Sequence, residues 1–232
     1  MRLAVIPARG GSRRIPRKNI RPFAGRPIIA WSIDAARACG LFDHVVVSTD
    51  DDEIAGVARG CGAETPFVRP KDLADDHTGT NAVVRHAIGW FGERGALPEH
   101  VCCLYATAPF VQPHLLREGF ERLVANGSSF AFSVTGFEFP IQRALRIDAR
   151  GRVQPIWPEN AARRSQDLEH AYHDAGQFYW GTARAFLDDV ALYSDASVPV
   201  ILPRHLVQDI DTEEDWTRAE LMFGAFRAQQ GG

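Results

Sequence analysis

Leu3-Ala4-Val5-Ile6-Pro7-Ala8-Arg9-Gly10-Gly11-Ser12-Arg13-Arg14-Ile15-Pro16-Arg17-Lys18-Asn19 reads as an apolar strand emptying into a glycine-containing, strongly basic loop. Seven of the 26 Lys and Arg residues fall between Arg9 and Arg26, and the first acid is Asp34, although the chain carries a formal charge of -3. Positive charge this local implies an anionic target at the same place. Gly10 and Gly11 carry no Cβ, so the backbone can turn tightly and bring N–H groups against a phosphate. The spacing fits neither G-x-x-x-x-G-K-[ST] nor G-x-G-x-x-G, which excludes a Walker A loop and a dinucleotide fingerprint. A solvated basic surface loop is the competing reading, disfavoured by direct attachment to a buried N-terminal strand.

Outward from this loop, strand-length apolar runs alternate with helical patterns. Strands are expected at 3–8, 45–48, 64–68, 101–106 and 130–135, and helices at 28–39, 53–61, 81–91 and 114–125. The βαβ alternation predicts a doubly wound α/β fold with a mostly parallel sheet covered by helices. Val45-Val46-Val47 and Val101-Cys102-Cys103-Leu104 are apolar on both faces, as a central parallel strand requires. From Phe137 to Tyr172 the texture breaks, with Pro140, Gly151, Pro155 and Pro158, which marks an excursion that can serve as a lid or a dimerisation arm. Strand-like Gln177 to Trp180 and Val198 to Leu202 follow, then a helix from Glu213 to about Arg227.

With 232 residues, 45% hydrophobic and 24% charged, the chain can bury one substantial core. The N-terminal apolar run is too short for a signal-peptide core, and no stretch reaches the roughly 20 apolar residues of a membrane span, so a cytoplasmic location is expected. Cys39, Cys61, Cys102 and Cys103 show no C-x-x-C spacing and read as unpaired thiols. A sequence pI near 6.2, with the basic residues in one loop, argues against nucleic-acid binding.

In open α/β sheets ligands bind beyond the carboxyl ends of the strands. Polar clusters stand at such ends: the basic loop, Ser48-Thr49-Asp50, Thr107-Ala108-Pro109 and Asp209-Ile210-Asp211. In an extended segment Asp209 and Asp211 share one face while Ile210 turns to the core, an arrangement suited to Mg²⁺. The same residues also suit the start of the last helix, where acids stabilise the first turn.

Four ordered elements, Ile6-Pro7-Ala8-Arg9-Gly10-Gly11-Ser12 with Pro16-Arg17-Lys18-Asn19, Val47-Ser48-Thr49-Asp50, Arg69-Pro70 and Asp209-Ile210-Asp211-Thr212, resemble the CMP-nonulosonic acid synthetases, the cytidylyltransferase family that includes the Kdo enzymes. The resemblance runs over nearly the whole chain. Leu104-Tyr105-Ala106-Thr107-Ala108-Pro109-Phe110, Ser165 to Glu169 and Tyr172 to Trp180 are most similar to the branch that takes pseudaminic acid. Ala106 stands where sialic acid synthetases carry glutamine, so no side-chain contact of that glutamine carries over.

The resemblance implies a single nucleotidyltransferase domain over 1–232, Rossmann-like and of GT-A type, with 137–172 as an inserted arm that builds a homodimer. It implies that CTP and a nonulosonic acid react, with Mg²⁺, to give the CMP-sugar and pyrophosphate. Arg9, Lys18 and Asp211 then carry catalysis, and the nucleotide lies against Ala8, Arg9, Gly10, Gly11, Ser12, Lys18, Asn19, Arg69 and Ala106. Asp209 and Asp211 hold the metal, Arg164 pairs with the sugar carboxylate, and His173, Gln177 and Tyr179 line the sugar pocket. Sialic, legionaminic or Kdo specificity is the alternative within the family. A GT-A glycosyltransferase with an Asp-x-Asp metal site, or a non-catalytic nucleotide-sugar sensor, is the alternative outside it.

Overall fold

The computed structural model describes residues 1–12, 14–75 and 78–230; Arg13 of the basic loop lies outside them. In chain order the strands are β1 (Arg2–Pro7), β2 (Pro22–Phe23), β3 (Arg26–Pro27), β4 (His44–Ser48), β5 (His100–Leu104), β6 (Phe130–Gly136), β7 (Leu145–Ile147), β8 (Val153–Pro155), β9 (Tyr172–Thr182) and β10 (Ser197–Ile201). The α-helices are α1 (Ile28–Cys39), α2 (Asp52–Gly60), α3 (Thr80–Gly92), α4 (Pro113–Asn126), α5 (Ala183–Leu187) and α6 (Glu213–Gln230).

Six strands form one sheet in the order β10-β6-β9-β5-β1-β4. Pairings β4·β1, β1·β5 and β6·β10 are parallel, while β9 runs antiparallel to both neighbours. Side chains alternate across this sheet as the pleat dictates. Ala4, Ile6, Cys102, Leu104, Phe178 and Trp180 pack with α1, α4 and α6, whereas Leu3, Val5, Cys103, Phe130 and Tyr179 pack with α3 and α5. Residues 64–68, expected as a strand, give only a single parallel bridge, Val46 to Glu64, so this segment is a flank and not a member of the sheet. Strands β7 and β8 form a separate antiparallel hairpin within 137–172.

From β1 the chain crosses to β4 on one side and later to β5 on the other, so strand order reverses between β1 and β5. That switch point opens a crevice at the carboxyl ends of the two strands, where the basic loop and Tyr105-Ala106-Thr107 emerge.

Packing is tight where glycines meet the aromatic core. A Cβ on Gly181 would lie 2.6 and 2.7 Å from ring carbons of Phe130 and 2.8 Å from Phe186, all of them buried. Gly181→Ala is therefore expected to cost about 1–3 kcal/mol in urea unfolding. Gly11→Ala, with open space around the added carbon, should unfold at the wild-type denaturant concentration.

Candidate active site

The crevice at the switch point is a cavity of about 460 Å³ whose walls include Arg9, Ser12, Arg14, Lys18, Asn19, Arg69, Tyr105, Ala106, Asp209 and Asp211. The loop after β1 and the segment before α6 thus meet, although some 190 residues separate Lys18 from Ile210.

A latch shapes the loop. Arg17 has a left-handed backbone, φ 55, which a non-glycine residue adopts only under compensation. Its guanidinium grips both oxygens of Asp51 at 2.5 and 3.0 Å and also reaches Glu53. Asp51 simultaneously caps α2 by accepting from the Ile54 N–H at 2.9 Å. Gly10 lies so close that an added Cβ would stand 2.8 Å from Asp51 Oδ2, and its N–H donates to Asp50. The hydrogen bond from Arg17, with that from Ile54, holds the Asp51 pKa at about 2 against burial.

Arg69 is 4% exposed and donates to Ser48 Oγ at 3.1 Å and to the Ser48 carbonyl, both neutral acceptors. Burial pulls its pKa down to about 10, so the guanidinium remains charged at neutral pH. A buried cation facing a cleft is a standing attraction for an anion.

Ile210 is buried, as its flanking position between the acids demands, and Asp209 and Asp211 reach the cleft on either side. Lys18 Nζ donates to the Ile210 carbonyl at 2.6 Å and lies 3.4 Å from Asp211, which Arg14 contacts at 2.8 Å. Asp209 is reachable by solvent yet walled by protein; this partial desolvation, with the Asp211 charge second, raises its pKa. Among the described residues no cluster of three His, Cys, Asp or Glu could hold a metal. Two hard carboxylates, Asp209 and Asp211, beside the cations of the cleft do fit Mg²⁺, which takes one or two carboxylates and fills its shell with other oxygens and water.

A second cavity of about 430 Å³ adjoins the first across Thr80 and Tyr105. Asp174 and Tyr179 line it together, although an odd separation of five would place them on opposite faces of a regular strand. A bulge in β9 opposite Ser133, with Gly176 at φ 62, corrects the parity. The Tyr179 hydroxyl then donates to Asp174 at 2.8 Å, as does Tyr193. Partial desolvation of its hydroxyl, with the hydrogen bond to Asp174 and the charge there, pushes the otherwise exposed Tyr193 up to about 12.

Among the residues singled out from sequence, Arg9, Ser12, Lys18, Asn19, Arg69, Ala106, Asp209 and Asp211 come together in the first cavity, with Ala8, Gly10 and Gly11 in its loop. Asn19 is buried and donates to the Arg9 carbonyl. Tyr179 lines the second cavity. Gln177 is buried behind the site, donating to the Leu206 carbonyl at 2.5 Å. His173 is exposed and packs on Phe137, and Arg164 sits on an exposed turn before Ser165–Asp167, outside both cavities. Arg14, Tyr105, Asn81, Asp174 and Tyr193 line the cavities without having been singled out. Arg14 carried a usable signal as a member of the basic loop, and Tyr105 and Asp174 stood in segments that resemble the family's; Asn81 and Tyr193 carried none.

Asp51→Asn should weaken the binding of inorganic pyrophosphate in the cleft about tenfold or more by loosening the loop, as titration calorimetry would read. The Asp51 pKa is lower folded than unfolded, near 4, so its stabilisation is complete above that value and lost as pH falls toward 2. Acid unfolding of Asp51→Asn should therefore show a shallower limb between pH 4 and 2.

Residues 3–209 match the cytidylyltransferase family. A pseudaminic acid cytidylyltransferase of Campylobacter jejuni is 47% identical over 221 residues, 95% of each chain. A CMP-N,N'-diacetyllegionaminic acid synthase of Legionella pneumophila is 35% identical over 225 residues, 94% of each. The structure of a CMP:2-keto-3-deoxy-manno-octonic acid synthetase complexed with CTP covers 99% of both chains with a TM-score of 0.69 at 16% identity, a likeness of fold. With the family match spanning most of its length, the chain belongs to the cytidylyltransferase family.

Proposed function

We propose that this chain transfers CMP from CTP to the anomeric hydroxyl of pseudaminic acid and releases pyrophosphate. The observation that carries the reading is the joining of two unlike cavities: a cleft lined by three arginines, a lysine and the carboxylates Asp75, Asp209 and Asp211, and a pocket lined by no Lys or Arg among the described residues. The 47% identical Campylobacter jejuni relative points to the same acceptor.

In this reading Arg9, Lys18, Arg14 and the buried Arg69 align the triphosphate and the acid's carboxylate, while Gly11 and Ser12 donate to phosphate oxygens. The new bond forms between the anomeric oxygen and the α-phosphorus as the bond to pyrophosphate breaks. Alignment and neutralisation of growing charge supply most of the acceleration in such a transfer. Asp209 and Asp211 would hold Mg²⁺, which supplies positive charge to the phosphates when bound. No histidine among the described residues lines either cavity. Asp209, which lines the same cleft, would receive the hydroxyl proton.

The reading also assigns 137–172 to a homodimer. Phe139, Leu145, Ile147 and Val153 are all more than 60% exposed there, an apolar concentration that a second copy would cover. Such an interface would bring the Arg164 turn toward a neighbouring site. No helix among the described residues is long and apolar enough to cross a membrane, and the four cysteines are free, in keeping with a reducing, cytoplasmic setting.

Pyrophosphate release from CTP and Mg²⁺ should depend on pseudaminic acid in preference to legionaminic acid, sialic acid and Kdo; preference for sialic acid would overturn the acceptor assignment and leave the reaction class standing. Asp211→Ala should lower kcat/KM several hundredfold and chelation should abolish turnover, whereas His173→Ala should stay within about threefold of wild type.

A further inference from the structure

We infer that Asn81, in the first turn of α3, reads an acylamino N–H of the acceptor in the second cavity. This rests on the reading above, which makes a nonulosonic acid the occupant of that cavity. Asn81 lines it, and its Nδ2 donates to Asp189 Oδ1. A carboxylate can only accept, so this bond fixes which end of the amide faces Asp189 and turns Oδ1 the other way. Oδ1 is buried and has no hydrogen-bond partner among the described residues. Buried acceptors are rarely left so, and a small rotation of the Asn81 side chain, which lines the cavity, would present this one to a donor on the ligand.

The anchor is itself held. Asp189 sits in the left-handed region at φ 54 and lies 3.5 Å from Arg85. A non-glycine residue kept in that conformation next to a cavity is a built feature.

Three further observations select the donor. Val84, Phe186, Val190 and Leu192 give the cavity an apolar wall, which suits a methyl group. An acetamido group presents an N–H and a methyl together; a hydroxyl would satisfy Oδ1 and leave the wall uncovered. Asp174 is not the free acceptor, because the Tyr179 and Tyr193 hydroxyls and the Gly176 N–H already occupy its oxygens. Finally, with Asp174 and Asp189 present and no Lys or Arg among the described lining residues, the acid's carboxylate is turned away toward Arg69 and Arg9 across Tyr105. The N-acylated tail is what remains to enter.

The test compares the N-acetylated acid with analogues in which one acetamido group at a time is replaced by O-acetyl, which keeps the methyl and loses the N–H. Wild type should prefer the amide about 10- to 100-fold in kcat/KM at one of the positions. Asn81→Leu should bring that ratio near one with the KM for CTP unchanged. Asp189→Gly, which tolerates the positive φ and frees the amide to rotate, should narrow the ratio as well, and it carries the test if Asn81→Leu fails to fold. An undiscriminating wild type, or a ratio unchanged in the variants, would overturn the role of Asn81. Wild-type turnover of an unacylated acid but of no N-acylated one would overturn the reading of the site instead.

Discussion

The grip of Arg17 on Asp51 is the contact on which the rest of the site depends. A loop carrying this many cations repels itself, and its backbone passes through an unfavourable left-handed residue. Asp51 offsets both, because it accepts a bidentate guanidinium and is already fixed as the cap of α2. Bidentate pairs of this kind add direction as well as energy. The carboxyl end of β4 thereby sets the loop after β1. Lys18, the next residue, carries the restraint on to the Ile210 carbonyl. One line of contacts joins the second parallel strand, the N-terminal loop and the segment that precedes the last helix.

Charge is then divided by a wall. On one side of Tyr105 lie three arginines, a lysine and three acids; on the other lie tyrosines, an apolar face and acids that are tied to tyrosine hydroxyls or to Asn81 and Arg85. An acceptor that is anionic at one end and acylated at the other has a single favourable orientation in such a pair of cavities. Orientation is what a displacement at phosphorus requires, so under the proposed reaction the partition would contribute to rate as well as to selectivity.

The sequence exposes those parts of this arrangement that depend on neighbours in the chain. Helix α1 begins and ends where its pattern does, at Ile28 and Cys39, and the alternation of strands and helices yields the sheet. The loop and Asp209-Ile210-Asp211 are local clusters, and they converge because strand ends converge. The contacts that escaped are those set by geometry at a distance. Asp174 and Tyr179 have the wrong parity for a shared face until the bulge at Gly176 is known. Arg17 and Asp51 belong to different strand ends, and nothing in either segment names the other. The segment 64–68 has strand composition but finds only one bridge, because β4 is where the sheet ends. Arg164 lies beyond both cavities of the single chain, since the excursion that carries it leaves the main sheet.

The cations of the cleft fall into two kinds, and the difference follows from burial. Arg69 is fixed: packed within the protein and bonded to Ser48, it has already lost its hydration, so an arriving anion meets a charge that needs no further desolvation. Arg14 is movable: its side chain is 69% exposed, and its ion pair with Asp211 is of the solvated kind worth about 0–1 kcal/mol. Transferring Arg14 from Asp211 to a phosphate oxygen would therefore cost little, and it would leave the Asp211 carboxylate available to a cation bound with a nucleotide. Lys18 stands between these cases, held by the Ile210 carbonyl and only loosely by Asp211. A rigid floor with a mobile rim lets a polyanion enter without the cleft having to be assembled around it.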